Sequence, residues 1–563
     1  MERHSKFDSW WRGAVIYQIY PRSFLDTDND GIGDLAGIAE KLAYVSRLGA
    51  DVVWISPFYA SPMKDFGYDV SDYRRIDPIF GRDEDFVELV KRANELGLKV
   101  MIDMVLSHTS DRHLWFHESR SSRDNPKANW YVWADPQPDG TPPNNWLSIF
   151  GGSAWEWDTH RQQFYLHNFL SAQPDLNFHH PEVVEAVLEV VDFWLRLGVE
   201  GIRLDTVNWY FHDRQLRSNP PNQGELLKYA PASSNYVMQD HIYNKSRPEV
   251  LLFLEQLRKL LDRYGAISLG ELTAKRAVEM TADYTENGKR VHMVYTFVLL
   301  TQTFSAKHFK QTIREVETNL GSGWVCWAFS NHDVVRAVSR WRRESVSVAQ
   351  QAKFLLALLL SLKGSVCLYQ GEELGLTETE VAFEDLQDPY GIRLWPEFKG
   401  RDGCRTPMPW KSSAVNGGFS ETKPWLPVPP EHLSSAVDLQ QADRTSVLNF
   451  CRDLVKWRKS LPAVLYGSIR ILDSADRLLA FERYYREQTV LAVFNLGESP
   501  AEFDYSNNST SKASANKSCL RPFNMNGFNY RCKNAVLTLP GFSMFFAEVT
   551  RCGNDNDRDE KSA

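Results

Sequence analysis

The sequence predicts an α/β protein: a (β/α)8 TIM barrel with an inserted excursion domain after strand 3 and a C-terminal antiparallel β domain. Three observations carry this prediction. Eight short β-like runs can be placed, most of them separated by amphipathic helical stretches, and eight alternations is the count of a closed parallel barrel. Two of these runs end in an acid and two more lead within four residues to a histidine or an acid, as strands do when their C-terminal ends carry a site. Two connections are far longer than a barrel loop requires.

The eight runs are Val15 to Tyr20, Asp51 to Ser56, Val100 to Leu106, Gly201 to Asp205, Ile267 to Glu271, His292 to Phe297, Val325 to Phe329 and Val366 to Gln370. Helical periodicity fills Leu35 to Leu48, Glu84 to Leu96, Pro181 to Leu197 and Val348 to Leu362. The third connection, about Thr109 to His180, holds Asp135-Pro136, Pro142-Pro143-Asn144-Asn145 and Gly151-Gly152. Turn chemistry spread over such a length implies a small domain over the barrel mouth rather than a bare loop. A second long connection, Glu372 to about Glu431, is rich in Pro and Gly. Beyond Gly467, alternating runs such as Leu478 to Tyr485, Thr489 to Asn495 and Ser543 to Val549 read as antiparallel strands. The expected domains are a barrel of residues 1–108 and 179–464 with an insertion at about 372–431, an inserted domain of 109–178, and a C-terminal β-sandwich of 465–552. Asn507 to Ser518 reads as a mobile loop and 553–563 as a disordered tail.

Composition narrows the class. A chain of 563 residues with 43% apolar and 24% charged side chains can bury a sizeable core and exceeds one ordinary domain. A net charge of −8 argues against a nucleic-acid partner. The N-terminal Met1 to Lys6 has no signal-peptide core, and Phe354 to Leu360 is too short to cross a bilayer, so a cytoplasmic protein without a membrane partner is expected. Seven scattered cysteines without a CxxC pair suggest neither a zinc cluster nor a disulfide framework.

Gly201-Ile202-Arg203-Leu204-Asp205 is the most informative stretch. Side chains alternate along a strand, so Arg203 and Asp205 point to one side. A barrel strand carries ionised groups only where they pair or do chemistry. The cation is expected to lower the Asp205 pKa and keep a carboxylate nucleophile ionised near neutral pH. Ala266 to Glu271 and Trp324 to Asp333 bring two more acids to strand ends, and Lys99 to His108 brings a histidine.

These segments resemble the α-amylase superfamily of glycoside hydrolases, in its oligo-1,6-glucosidase and α-glucosidase branch. The matching pieces run in family order: Asp103 to His108, Gln173-Pro174-Asp175-Leu176-Asn177, Gly201 to Asp205, Gly270-Glu271-Leu272 and Phe329-Ser330-Asn331-His332-Asp333. Tyr17 to Phe24, Gly67-Tyr68-Asp69-Val70 and Gly400 to Pro407 add support, and the likeness reaches about Val549. The resemblance implies a retaining mechanism with Asp205 as nucleophile, Glu271 as general acid/base with a raised pKa, and Asp333 as the third acid, which stabilises the transition state. It implies that Asp65, Tyr68, His108, Arg203, His332 and Arg401 grip a terminal glucose, Asp65 and Arg401 pairing to close the pocket and Tyr68 stacking on the sugar. Phe150, Phe169 and Phe297 would flank the adjoining subsite. Ser107 departs from the commoner Asn but matches a subgroup of α-glucosidases. Thr206, where relatives favouring α-1,6 bonds carry Val, points to α-1,4 substrates such as maltose. A small oligosaccharide is the expected partner, with an alcohol or sugar as transfer acceptor, and the protein itself a monomer or homodimer.

Asp26-Thr27-Asp28-Asn29-Asp30-Gly31-Ile32-Gly33-Asp34 spaces acids as the start of an EF-hand loop does, with Gly at the bend. The twelfth position is Gly37, so the loop is not a complete EF-hand. Asp26, Asp28, Asp30, the carbonyl of Ile32 and Asp34 would hold one structural Ca²⁺ or Mg²⁺, as relatives of this family do, and no organic cofactor is expected. Three other readings stand beside the α-glucosidase. A sucrose or maltose isomerase is disfavoured because no Arg-rich loop stands near Asp385 to Leu394. An oligo-1,6-glucosidase is the other enzyme reading. A non-catalytic transporter-associated relative would carry a membrane helix and lose its acids.

Overall fold

The computed structural model describes residues 10–224, 230–508, 518–533 and 535–551. The barrel strands are β1 (Val15–Ile19), β2 (Val52–Ile55), β3 (Lys99–Met104), β4 (Gly201–Leu204), β5 (Ile267–Leu272), β6 (Met293–Thr296), β7 (Cys326–Ala328) and β8 (Ser365–Tyr369). Neighbouring strands pair in parallel from β7 through β8 and β1 round to β6. A parallel bridge between Val294 and Val325 completes the ring. All eight predicted strands are present, with ends shifted by a residue or two.

Strand alternation sorts the side chains. Ile16, Val52, Trp54, Met101, Ile267, Leu269, Met293, Tyr295, Cys326, Ala328 and Cys367 form the inner cluster, while Val15, Tyr17, Val53, Ile55, Val100, Ile102, Ile202 and Leu204 pack outward against the helices. Gly201 lets the inner layer close: a Cβ there would lie 3.1 Å from the Met101 Cε and 3.2 Å from the Ile267 Cγ1. The parity that turns Met101 inward also turns Asp103 inward, and the register sets Asp103 beside Arg203. The interior is thus apolar at its base and ionic at the strand C-termini.

Helices follow their sequence signals. Leu35–Leu48 starts where Asp34 accepts the Gly37 amide at 2.6 Å and ends at Gly49, whose φ of 92° is the left-handed cap glycine favours. Its face of Leu35, Ile38, Leu42 and Val45 is buried, so Leu42→Ala should cost about 2–5 kcal/mol of stability. The other three predicted helices are Asp83–Glu95, Pro181–Arg196 and Val348–Ser361.

The excursion after β3 leaves and returns where His108 and Asp175 bridge. It holds a three-stranded sheet of Trp133–Ala134, Gln163–Leu166 and Trp155–Asp158, with a small core around Trp146 and Trp155. The insertion of 372–431 consists mainly of short 3-10 turns and the helix Pro389–Leu394. A third excursion was not foreseen: between β4 and the helix Val250–Tyr264, the described chain runs through turns and bends over the mouth. The C-terminal domain has two antiparallel sheets, of five and three strands, sharing a core that includes Leu478, Val493, Phe503 and Leu537. Cys519 is disulfide-bonded, against the expectation drawn from cysteine spacing; Cys326, Cys367, Cys404, Cys451 and Cys532 are free. Among the described residues no helix is long and apolar enough to cross a membrane. Met1 to Lys6, 553–563 and most of the expected loop at Asn507 to Ser518 lie outside the described residues.

Candidate active site

Arg203, fully buried on β4, organises the mouth. Its Nη1 donates to Asp103 Oδ1 and to Asp205 Oδ1, both at 2.7 Å, and its Nη2 lies 2.7 Å from Glu271 Oε2. Trp54 packs on the guanidinium at 5.0 Å. Three carboxylates from three strands thus share one cation, which is what makes their burial tolerable. Asp205 and Glu271 sit on adjacent nitrogens of that guanidinium. Thr206 bridges the same pair: its Oγ1 donates to Asp205 Oδ2 at 3.1 Å and its amide to Glu271 Oε2 at 3.1 Å. Tyr295 donates to Glu271 Oε1 at 3.2 Å. Thr206 adopts φ 42°, ψ 49°, a left-handed conformation that a β-branched residue holds only under constraint.

Burial and partners set the proton affinities. Burial pushes Glu271 up to about 8, with Arg203 opposing and Asp205 and Asp333 reinforcing the rise. Asp205 is pushed up to about 7, not lowered as the sequence led us to expect. Burial outweighs the pull of Arg203, because that one cation is divided among Asp103, Asp205 and Glu271. Of the nucleophile and acid candidates, Glu271 holds a proton to the higher pH. Asp333 is the converse case. Burial disfavours its charge, yet His332, Arg401 and Arg405 hold it well below the usual carboxylate range. Burial lowers His332 to about 3 and His108 to about 4, so both rings are neutral.

The remaining predicted contacts form a continuous network. Arg401 donates to Asp65 at 2.8 Å and to Asp333 at 3.2 Å, and its guanidinium is held from behind by Asp388. Tyr68 bonds His332 Nε2 at 2.7 Å and donates to Asp103 at 3.1 Å, its ring stacked on the imidazole. Gln173 donates to Asp65 at 3.1 Å and lies 3.2 Å from His108 Nε2. Ser107 joins His108 Nδ1 at 2.9 Å to Thr206 Oγ1 at 3.2 Å, so the departure at 107 is wired to the residue beside Asp205.

These groups line one cavity of about 420 Å³, a volume suited to a small ligand. Asp65, Tyr68, His108, Phe150, Phe169, Asp205, Thr206, Glu271, Phe297, His332, Asp333 and Arg401 all line it, and Arg203 lies beneath. Sequence reasoning missed Trp209, Thr273 and Tyr390, which also line it, and Asp388 and Arg405, which orient Arg401 and Asp333. Trp209 could have been found by its place four positions after Asp205; the others come from segments without periodicity.

Of the proposed metal ligands, the structure gathers Asp26, Asp28 and Asp34, with one carboxylate oxygen of each within 4.8 Å of the others. Asp30 lies outside that spacing; its Oδ1 accepts the Ile32 amide at 2.7 Å, as Asp26 and Asp34 accept the loop amides of Gly31 and Thr27. Three convergent hard oxygen donors fit a divalent cation with water completing the sphere.

The comparisons agree with this geometry. Residues 18–467 match the family described as alpha amylase, catalytic domain. A probable alpha-glucosidase of Rhizobium meliloti is 52% identical over 96% of this chain and 97% of its own. An oligo-1,6-glucosidase of Heyndrickxia coagulans is 36% identical over 88% of this chain and 93% of its own. A crystal structure described as the alpha-glucosyl transfer enzyme XgtA matches with a TM-score of 0.92 and 53% identity, covering 96% of this chain and 99% of that one. The trehalulose synthase MutB matches with a TM-score of 0.86 and 33% identity, covering 96% and 100%. With a family match over most of its length and relatives this similar, the chain belongs to glycoside hydrolase family 13 and is an enzyme of its α-glucosidase and oligo-1,6-glucosidase branch.

Proposed function

We propose that the enzyme is a retaining, exo-acting α-glucosidase that removes terminal non-reducing α-1,4-linked glucose from maltose and short oligosaccharides, and that it also transfers the glucosyl group to sugars or alcohols. The observation that carries this reading is the pairing of Asp205 and Glu271 on one guanidinium, with the higher proton affinity at Glu271. Ionised Asp205 attacks the anomeric carbon as Glu271 gives its proton to the leaving oxygen. A covalent glucosyl-enzyme forms and the glycosidic C–O bond breaks. Glu271, now a carboxylate, takes a proton from water or an alcohol as that oxygen attacks and frees Asp205. Two inversions leave the α configuration intact.

The Asp65–Arg401 pair supports the exo preference, since it would cap the pocket behind a terminal glucose. Thr206, in contact with both reacting carboxyl groups, supports the α-1,4 preference. Apolar walls at Phe150, Phe169 and Phe297, together with the transfer activity named for a 53% identical relative, support an acceptor other than water. The loop of Asp26, Asp28 and Asp34 binds one structural divalent cation in this reading.

The test is an NMR time course with maltose, isomaltose and sucrose in parallel. Release of α-glucose from maltose, with isomaltose nearly untouched and Asp205→Asn inactive, is the expected outcome. Initial release of β-glucose overturns retention, and preferential cleavage of isomaltose overturns the linkage preference.

A further inference from the structure

Lys245 is a buried lysine that the proposed mechanism does not use. It lies in the excursion after β4, and its Nζ donates to the carbonyl of Thr273 at 3.2 Å. The same Nζ stands 4.5 Å from the centre of the Trp209 ring and 5.8 Å from that of Tyr236, and burial holds its proton affinity well below the usual lysine range. Trp209 is held on every side. Its Nε1 donates to Thr273 Oγ1 at 3.2 Å, its amide donates to the Thr206 carbonyl at 2.9 Å, and its ring packs on Phe169 at 5.2 Å and Tyr236 at 6.2 Å. Asn208 adds a second tie, donating to the Thr273 carbonyl at 3.0 Å.

Thr273 follows the acid Glu271 by two positions, and Trp209 follows the nucleophile Asp205 by four. Lys245 therefore joins the segment that leaves the nucleophile to the segment that leaves the acid. Trp209 and Thr273 both line the cavity, as do Ile149, Phe169 and Ala230 around the indole. The general acid must face the departing oxygen, so the wall beyond Glu271, away from the Asp65–Arg401 pair, is the one the leaving group meets.

We infer that Trp209 is a wall of the leaving-group and acceptor subsite and that Lys245 is its positioning residue. Its Nζ covers the indole face while donating to the carbonyl of Thr273 beside the acid, contacts that a neutral amine makes as an ammonium does. The subsite so built takes flat or apolar groups attached to the glucosyl oxygen, which lie against the indole edge and the Phe169 ring. The inference rests on the α-glucosidase reading above, and its test separates the two.

The test compares 4-nitrophenyl α-glucoside with α-glucosyl fluoride. Both form the same glucosyl-enzyme, but fluoride has no ring to place in the subsite. For Lys245→Met, the ratio of kcat/KM for the aryl glucoside to that for the fluoride should fall about tenfold, the size of one lost buried hydrogen bond. Trp209→Ala should lower the ratio at least as far. A loss of folded enzyme, or a general loosening, lowers both substrates together and leaves the ratio unmoved; that result in Trp209→Ala overturns the wall, and in Lys245→Met it overturns the positioning role. If Lys245→Met does not fold, Trp209→Phe replaces it, since phenylalanine keeps a ring but loses the bond to Thr273 and the larger indole face. An unchanged ratio there likewise overturns the inference. Inactivity of the wild-type enzyme on both donors would instead overturn the α-glucosidase reading.

Discussion

Arg401 Nη2 and Asp65 Oδ1 lie 2.8 Å apart although 336 positions separate them in the chain. The guanidinium is fixed by Asp388 through its Nε at 3.0 Å and Nη2 at 2.8 Å, and it reaches Asp333 as well. A planar donor fork serves three carboxylates, a task that a lysine ammonium cannot reproduce. Arg401→Lys should therefore lower kcat/KM on maltose on the order of a hundredfold, because breaking a buried pair costs about 3–5 kcal/mol. Steady-state kinetics on maltose check this, and near-normal activity would show that the pair does not shape the glucose pocket.

The pH profile follows from the two proton affinities. Asp205 must be ionised to attack, and burial pushes it up to about 7, so the rate falls as pH drops through that value. Glu271 must be protonated, and burial pushes it up to about 8, so the rate falls as pH rises past it. The expected kcat/KM profile is a narrow bell between these values, its limbs belonging to the interacting pair. A maximum near pH 5 would contradict it.

Stability should carry the opposite signature of the same burial. A carboxyl whose folded pKa lies above its unfolded one binds more protons when folded, so its contribution to stability diminishes as pH rises from about 4.5 to about 8. Glu271→Gln removes that loss. Its thermal midpoint relative to wild type should rise across this window, by about 1 °C for each kcal/mol relieved in a chain of this size. Calorimetry at pH 5 and pH 8 measures the difference; a gap that does not widen refutes the linkage.

Thr206→Val deletes the hydroxyl that donates to Asp205 while keeping the β-branched shape. Loss of a hydrogen bond to a charged group is worth about 1.5–3 kcal/mol. Maltose turnover should fall at least tenfold, and the ratio of isomaltose to maltose cleavage should rise. A ratio that stays fixed would remove Thr206 from the linkage preference.

Asp28→Ala tests the loop at the other end of the fold. With one of three converging carboxylates gone, the stabilisation by added Ca²⁺ or Mg²⁺ should disappear from thermal melts. Wild-type melts that do not respond to chelator or to either ion would show that the loop stands without metal.

Much of this was legible before any coordinates. Strand parity alone put Arg203 and Asp205 on one side, and the ordered acids at strand ends located the mouth. The long excursions were visible as turn chemistry. What escaped notice was context. The Asp205 pKa could not be read from its neighbour Arg203, since the cation is shared with Asp103 and Glu271 from other strands. Asp388 and Arg405 were passed over because their segment has no period to betray which side faces the site.

The left-handed backbone at Thr206 ties together two properties that usually vary separately. Its amide is aimed at Glu271 and its hydroxyl at Asp205, and the amide bond helps to restrain the rise in the acid's proton affinity. Residues that avoid positive φ would pull the amide away from Glu271; residues without a hydroxyl would remove the bond to Asp205. Under the role proposed for Thr206, a change at 206 that alters the linkage preference also shifts the working pH, so the two properties would change together.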